Sequence, residues 1–368
     1  MKFDIFRSMQ LPLTVKRSIE LLGLVLLGFI IHTGQQIIMP MLMAFFVSIV
    51  LLPVYNFLTK RKFPRVLAIF LALLLMIVVM SLIIFFIVIQ TQPVIDNFST
   101  IKENISNHIN ALSKWISRSM NVSIKEQTTF LNQQSQKSVD YLGGILTGAA
   151  GSIGSVIIFF GLLPIYTFLI LFYKDILVKF IYLWFQQEDS GKVRESISEA
   201  ESIIQSYIGG LLIQITYITI LLGGALLILG IPYALLIGII FAILNLIPYI
   251  GALFGNIIGV LLTLSSSPNL NPVITVLITI AIVQFLDNNI LMPRIVGGKV
   301  KINALASLAG VFVGGAIAGI PGMFLSLPLI AVAKVIFERT ERFKQWAVLF
   351  GDKLPKKRFA KRKQKKTE

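Results

Sequence analysis

The sequence predicts an all-α polytopic membrane protein of about eight hydrophobic segments, with an inverted repeat of helix plus broken hairpin in its C-terminal half. Three observations carry that prediction. Of 368 residues, 56% are hydrophobic and 14% charged, where a soluble domain has about 25% charged. The apolar residues gather in runs longer than about 18, the length that crosses a hydrocarbon layer of about 30 Å. Basic residues flank those runs: Lys16 and Arg17, Lys60, Arg61, Lys62 and Arg65, then Arg294, Lys299 and Lys301. A water-soluble enzyme and a disordered chain are excluded. With no Cys and two His, a disulfide scaffold and the usual zinc sites go as well.

The net charge of +16 is a topology signal. Twelve of the 33 basic residues lie in 338–368, which reads as a basic cytoplasmic tail under the positive-inside rule. Such a tail meets anionic lipid headgroups, so membrane lipid is an expected partner and nucleic acid is not. No cleavable signal pattern precedes the first apolar segment.

The elements follow in order. The stretch 19–58 is too long for one helix and suits two, with His32, Gln35, Gln36 and Pro40 marking an external turn. A third helix over 66–89 completes the unit 1–90. The insert 91–143 carries five basic and four acidic residues; Ile101, Ile105, Ile109, Leu112 and Ile116 recur at helical spacing, predicting an extracytoplasmic amphipathic helix, with another over 125–142. Segment four, 144–173, returns the chain to the cytoplasm and leads into a polar helical stretch, 174–205. Segment five, 206–229, goes out again.

From here the pattern is broken. The apolar run 232–266 is interrupted at Ile247-Pro248-Tyr249-Ile250-Gly251, and the loop charges put both its ends outside. Segment seven, 272–292, goes inward. The run 303–336 then begins and ends inside, and Gly319-Ile320-Pro321-Gly322 breaks it. Helix plus hairpin followed by its upside-down counterpart outlines an inverted repeat over 206–337. Interrupted hydrophobic segments at matching positions of two halves point to a transporter's binding site, and irregular backbone at membrane depth survives only in protein or beside a watery cavity. Pro248, Gly251, Pro293, Pro321 and Gly322 are the expected break or gating positions.

Asp287 is the acidic residue set deep in an apolar segment. A charged Asp at a helix centre costs about 2.5–3.5 kcal/mol on insertion scales, so it marks a functional site with a cation, proton or basic neighbour as partner. Gln284, Asn288 and Asn289 lie beside it on the same helix, and Asn245 and Asn256 flank the first break. The bland alternative ends the helix early and pairs Asp287 with Arg294 at the headgroups. Gln205, Gln214 and Tyr217 on helix five read equally as packing groups, the spacing of Gly251, Gly255 and Gly259 suits close helix contact, and His32 reads as an exposed turn residue. There is no G-x-x-x-x-G-K-[ST] loop, H-E-x-x-H or G-x-S-x-G motif, so neither an ATP-driven pump nor an enzyme is expected, and no cofactor or metal.

Asn245-Leu-Ile-Pro-Tyr-Ile-Gly251, Gln284-Phe-Leu-Asp-Asn-Asn-Ile-Leu-Met-Pro-Arg-Ile-Val-Gly297 and Gly319-Ile-Pro-Gly-Met-Phe-Leu-Ser-Leu-Pro328 resemble the bacterial AI-2E transporter family, over nearly the whole chain. The resemblance implies an inner-membrane homo-oligomer, with a pentamer as one form, that exports a small polar solute such as the quorum-sensing signal autoinducer-2. It equally implies sodium or lithium/proton antiport. From the residues, the leading expectation is export coupled to protons or sodium, with Asp287 binding the ion and Gln284 and Asn288 as ligands. The alternatives are antiport alone, or a membrane scaffold for envelope or division partners.

Overall fold

The computed structural model describes residues 12–97, scattered positions from 99 to 118, 153–183, 190–295 except 268, 302–340 and 343–352. The helix predicted over 125–142, the start of segment four and the basic tail from 353 lie outside the described residues.

Proline and glycine set the joints. Pro12 precedes α1 (Leu13–Thr33), and Gly34 alone separates it from α2 (Gln35–Lys60). Pro40 therefore sits inside α2, in its second turn and not at the joint where the sequence suggested it, and leaves the Gln36 carbonyl without its helical donor. After α2 the chain turns at Lys62, in the left-handed region at φ 65°, and Pro64 opens α3 (Arg65–Asp96). Helix α4 (Ile153–Phe172) bends by 64° into the short amphipathic α5 (Lys174–Leu183). Arg65 fastens that elbow, donating to the Phe172 carbonyl and, at 3.1 Å, to Asp175.

Residues 190–205 of the polar stretch and segment five, expected as separate pieces, form one rod. It comprises α6 (Ser190–Ile218), a π turn (Thr219–Gly223) and α7 (Gly224–Ile228). Near its polar end, Arg339 binds Glu195 at 2.8 Å and Glu199 at 2.5 Å. Segment seven is likewise interrupted: α10 (Asn271–Leu286) gives way to a π turn (Asp287–Leu291) and α11 (Met292–Ile295). Pro293 has no N–H to offer the Asn289 carbonyl, and a missing rung is a standard cause of such a bulge.

Both predicted breaks are helical hairpins. The first joins α8 (Ala234–Leu244) to α9 (Ile250–Ser266), with Tyr249 at φ 66° in the turn. A Cβ added to Gly251 would strike the Leu244 carbonyl, one on Gly255 would meet the Phe241 ring, and one on Gly259 would reach Ile237. That ladder of glycines lets the two arms lie against each other. The second hairpin lies within α12 (Ala304–Arg339), where Ala318 (φ −143°) and Gly319 (φ 60°) leave helical geometry. Residues eight apart in a straight helix are about 12 Å apart, yet a Cβ on Gly314 would collide with the carbonyl of Gly322. The helix is folded back on itself.

Among the described residues five helices are long and apolar enough to cross a membrane, α12 among them by length, and the bent α4–α5 pair makes six. Arm α8, with 11 residues, extends only about 16 Å and cannot cross a hydrocarbon layer of about 30 Å. One buried cluster unites α6, α7, α8 and α10 around Ile218, Leu222, Phe241 and Ile280. A second packs α2 and α6 against the second hairpin through Phe46, Ile204, Leu211 and Leu325. A third joins α2, α3 and α4 through Tyr55, Ile69 and Leu171. Large apolar residues such as Val25, Phe29, Leu82 and Phe85 face outward from α1 and α3. In a chain this apolar, that is the surface lipid covers.

Candidate functional site

Asp287 is 1% exposed. The first residue of the π turn after α10, it lies where α6 and the tip of the first hairpin converge on that helix. Gln214 donates from Nε2 to Asp287 Oδ2 at 2.8 Å. Asn245, the last residue before the hairpin turn, donates to the same oxygen at 3.1 Å. The Tyr217 hydroxyl donates to Oδ1. Three neutral donors from two other elements thus surround one buried carboxylate. No basic side chain pairs with it among the described residues, so the predicted alternative pairing with Arg294 is not formed.

Three donors lower the cost of a buried charge without cancelling it. One further polar atom belongs to the same side chains: Gln214 Oε1 is buried with no hydrogen-bond partner among the described residues. Buried polar atoms are nearly always satisfied by protein, water or a bound ion. An acceptor without a donor, on the very side chain that holds the carboxylate, suits a proton or a cation.

The predicted site residues separate into two groups. Asn245 reaches Asp287, and Gln284 supports it by donating to Asn245 Oδ1 at 3.2 Å. Asn288 and Asn289 are exposed and turn back on their own helix, towards Gln284 Oε1 at 3.4 Å and the Phe285 carbonyl at 2.9 Å. Neither hydrogen-bonds Asp287, and both are exposed where Asp287 is buried. Asn256 likewise bonds its own helix, at Ala252. Gln214 and Tyr217, which the sequence left evenly open between packing and function, bond the carboxylate directly.

Pro248 and Gly251 shape the hairpin turn that presents Asn245. Pro321 and Gly322 shape the second hairpin, whose tip contributes no hydrogen bond to Asp287 but shares a buried cluster with α6: Ala318 and Leu325 pack with Leu211, and Leu246 from the first tip lies against the same cluster.

A multi-pass helical membrane protein with two broken hairpins, one of which holds an isolated buried carboxylate, has the construction of a secondary transporter. The chain belongs to the AI-2E transporter family, whose model matches residues 21–342. Its curated relatives include two proposed transport proteins of Bacillus subtilis. YrrI is 26% identical over 82% of this chain and 86% of its own length; YueF is 30% identical over 81% and 82%. The AI-2 transport protein TqsA of Escherichia coli is 24% identical over 88% of this chain and 91% of its own. Family membership supports a role in transport.

Proposed function

We propose that this chain is an ion-coupled exporter of a small polar solute, with Asp287 as the station where a proton or sodium-sized cation binds. The observation that carries this reading is the buried carboxylate held by Gln214, Tyr217 and Asn245 with no fixed positive partner. A charge left unpaired at membrane depth is costly, and a mobile cation removes that cost each time it binds. The reading of the solute leans on TqsA, named for AI-2 transport. Sodium or lithium exchange against protons is the second reading: the Asp287 carboxylate and Gln214 Oε1 are the oxygen acceptors a small cation takes as ligands.

In this reading the protein sits in the bacterial inner membrane with both termini cytoplasmic, as the flanking basic residues require under the positive-inside rule, and works as a homo-oligomer without cofactor or enzymatic activity. The hairpins enter from opposite faces as inverted halves.

Proteoliposomes test it. Sodium/proton exchange and small-solute flux are measured for the parent protein and for Asp287→Asn, an isosteric change that removes the charge. Loss of coupled flux in the variant supports the site. A variant that transports at the parent rate removes Asp287 from the mechanism, and a parent with no flux of any kind leaves the scaffold reading.

A further inference from the structure

The tip of the second hairpin is held by a residue far away in sequence. In an unbroken helix the Ile317 carbonyl would accept from the N–H of residue 321, and residue 321 is a proline with no N–H to give. His32 fills that place: its Nδ1 lies 2.9 Å from the Ile317 oxygen. His32 is the second-last residue of α1, at the Gly34 corner with α2. Around it the same two elements pack. A Cβ on Gly28 would be in van der Waals contact with Ile317 Cδ1, and Ile31, Ile317, Ala318 and Met39 belong to one cluster.

We infer that His32 is the positioning residue of the second hairpin, a side-chain donor to the Ile317 carbonyl that the break at Ala318 and Gly319 leaves without a helical N–H, and that it docks the tip against the α1–α2 corner. The inference accounts for two features at once: an Ile317 carbonyl left without its helical donor at the break, and a histidine with no part in the Asp287 network. A carbonyl that a helix break leaves without its N–H takes a side-chain or water partner instead. Because that partner belongs to a different element and is a lone side chain at an exposed corner, the contact can be broken without unwinding either arm. The tip is therefore fixed reversibly. Its importance for flux rests on the transport reading above; its importance for docking does not.

The chain has no cysteine, so Ala318→Cys gives a single thiol at the tip, 95% buried when the tip is docked (Ala318 is 5% exposed). The full chain is reconstituted in proteoliposomes and the rate of maleimide labelling is measured with His32 intact, with His32→Ala and with His32→Gln, which keeps a donor. Loss of one hydrogen bond of ordinary strength should raise the labelling rate roughly fivefold in His32→Ala, and His32→Gln should lie close to the parent. A second reporter, Ala242→Cys in the first hairpin, should label at an unchanged rate. Equal labelling in His32→Ala and the parent overturns the inference. So does equal acceleration at both reporters, which would mean general loosening. Absence of flux in the parent would refute the transport reading alone and leave the labelling result standing.

Discussion

Gly314 and Gly322 face each other so closely across the second hairpin that a Cβ on either would run into the other's carbonyl oxygen. Backbone meets backbone there, with no flexible side chain able to move aside. Gly322→Ala should therefore destabilise the protein by about 1–3 kcal/mol, the usual cost of overpacking a tight contact. Gly161→Ala, where a Cβ meets nothing within 4 Å, is the control and should be neutral or slightly stabilising in its helix. Thermal unfolding in detergent reads both. A Gly322→Ala melting curve that overlays the parent would mean that the arms do not pack as described.

The donors on Asp287 separate site from surroundings. Gln214→Leu and Tyr217→Phe each remove a hydrogen bond to a buried charge, worth about 1.5–3 kcal/mol, and each should lower coupled flux by at least about tenfold. Asn288→Ala and Asn289→Ala remove exposed amides that serve their own helix; flux should stay within about twofold. Flux measured in the same liposomes decides. If the two asparagine variants fail while Gln214→Leu transports normally, the ion is held on the exposed side of α10 and the assignment is wrong.

That contrast shows how far the residues alone could lead. Proline and glycine act through local backbone chemistry, so both hairpin turns were legible: Pro248 to Gly251 and Gly319 to Gly322 fall at or beside the observed breaks. Asp287 was legible because burying charge is expensive wherever it occurs. Its partners were not. Gln214 lies 73 residues away, and nothing in its local sequence separates an amide that packs helices from one that holds a carboxylate. The same-helix spacing that suggested Asn288 and Asn289 ignores that the first hairpin covers only one side of α10. The π turns were also invisible, although Pro293 supplies a local reason for the second. The continuity of 190–205 with the span that follows was hidden because a polar helix and an apolar one carry opposite hydropathy along one unbroken hydrogen-bond ladder.

Asn303 makes the last case, because one side chain fastens two elements by separable atoms. Its Oδ1 accepts from the Ala306 N–H at 2.8 Å, capping the start of α12, while its Nδ2 donates to the Leu349 and Gly351 carbonyls at 2.6 and 3.0 Å. Those carbonyls close the end of α13 (Lys344–Phe350), which has no regular partner for them. Asn303→Asp keeps the cap and loses both donations; Asn303→Ala loses all three bonds. The cap alone is worth about 1 kcal/mol, so melting temperatures should fall in the order parent, Asp, Ala. Hydrogen exchange should separate the causes: α13 amides exchange faster in both variants, whereas the first turn of α12 exchanges faster in Asn303→Ala only. If α13 exchanges at the parent rate in Asn303→Asp, the docking of α13 does not depend on this amide and comes from the backbone N–H of Asn303 on the Phe350 carbonyl at 3.1 Å and from aromatic contacts, Phe350 on Phe337 at 6.0 Å between ring centres.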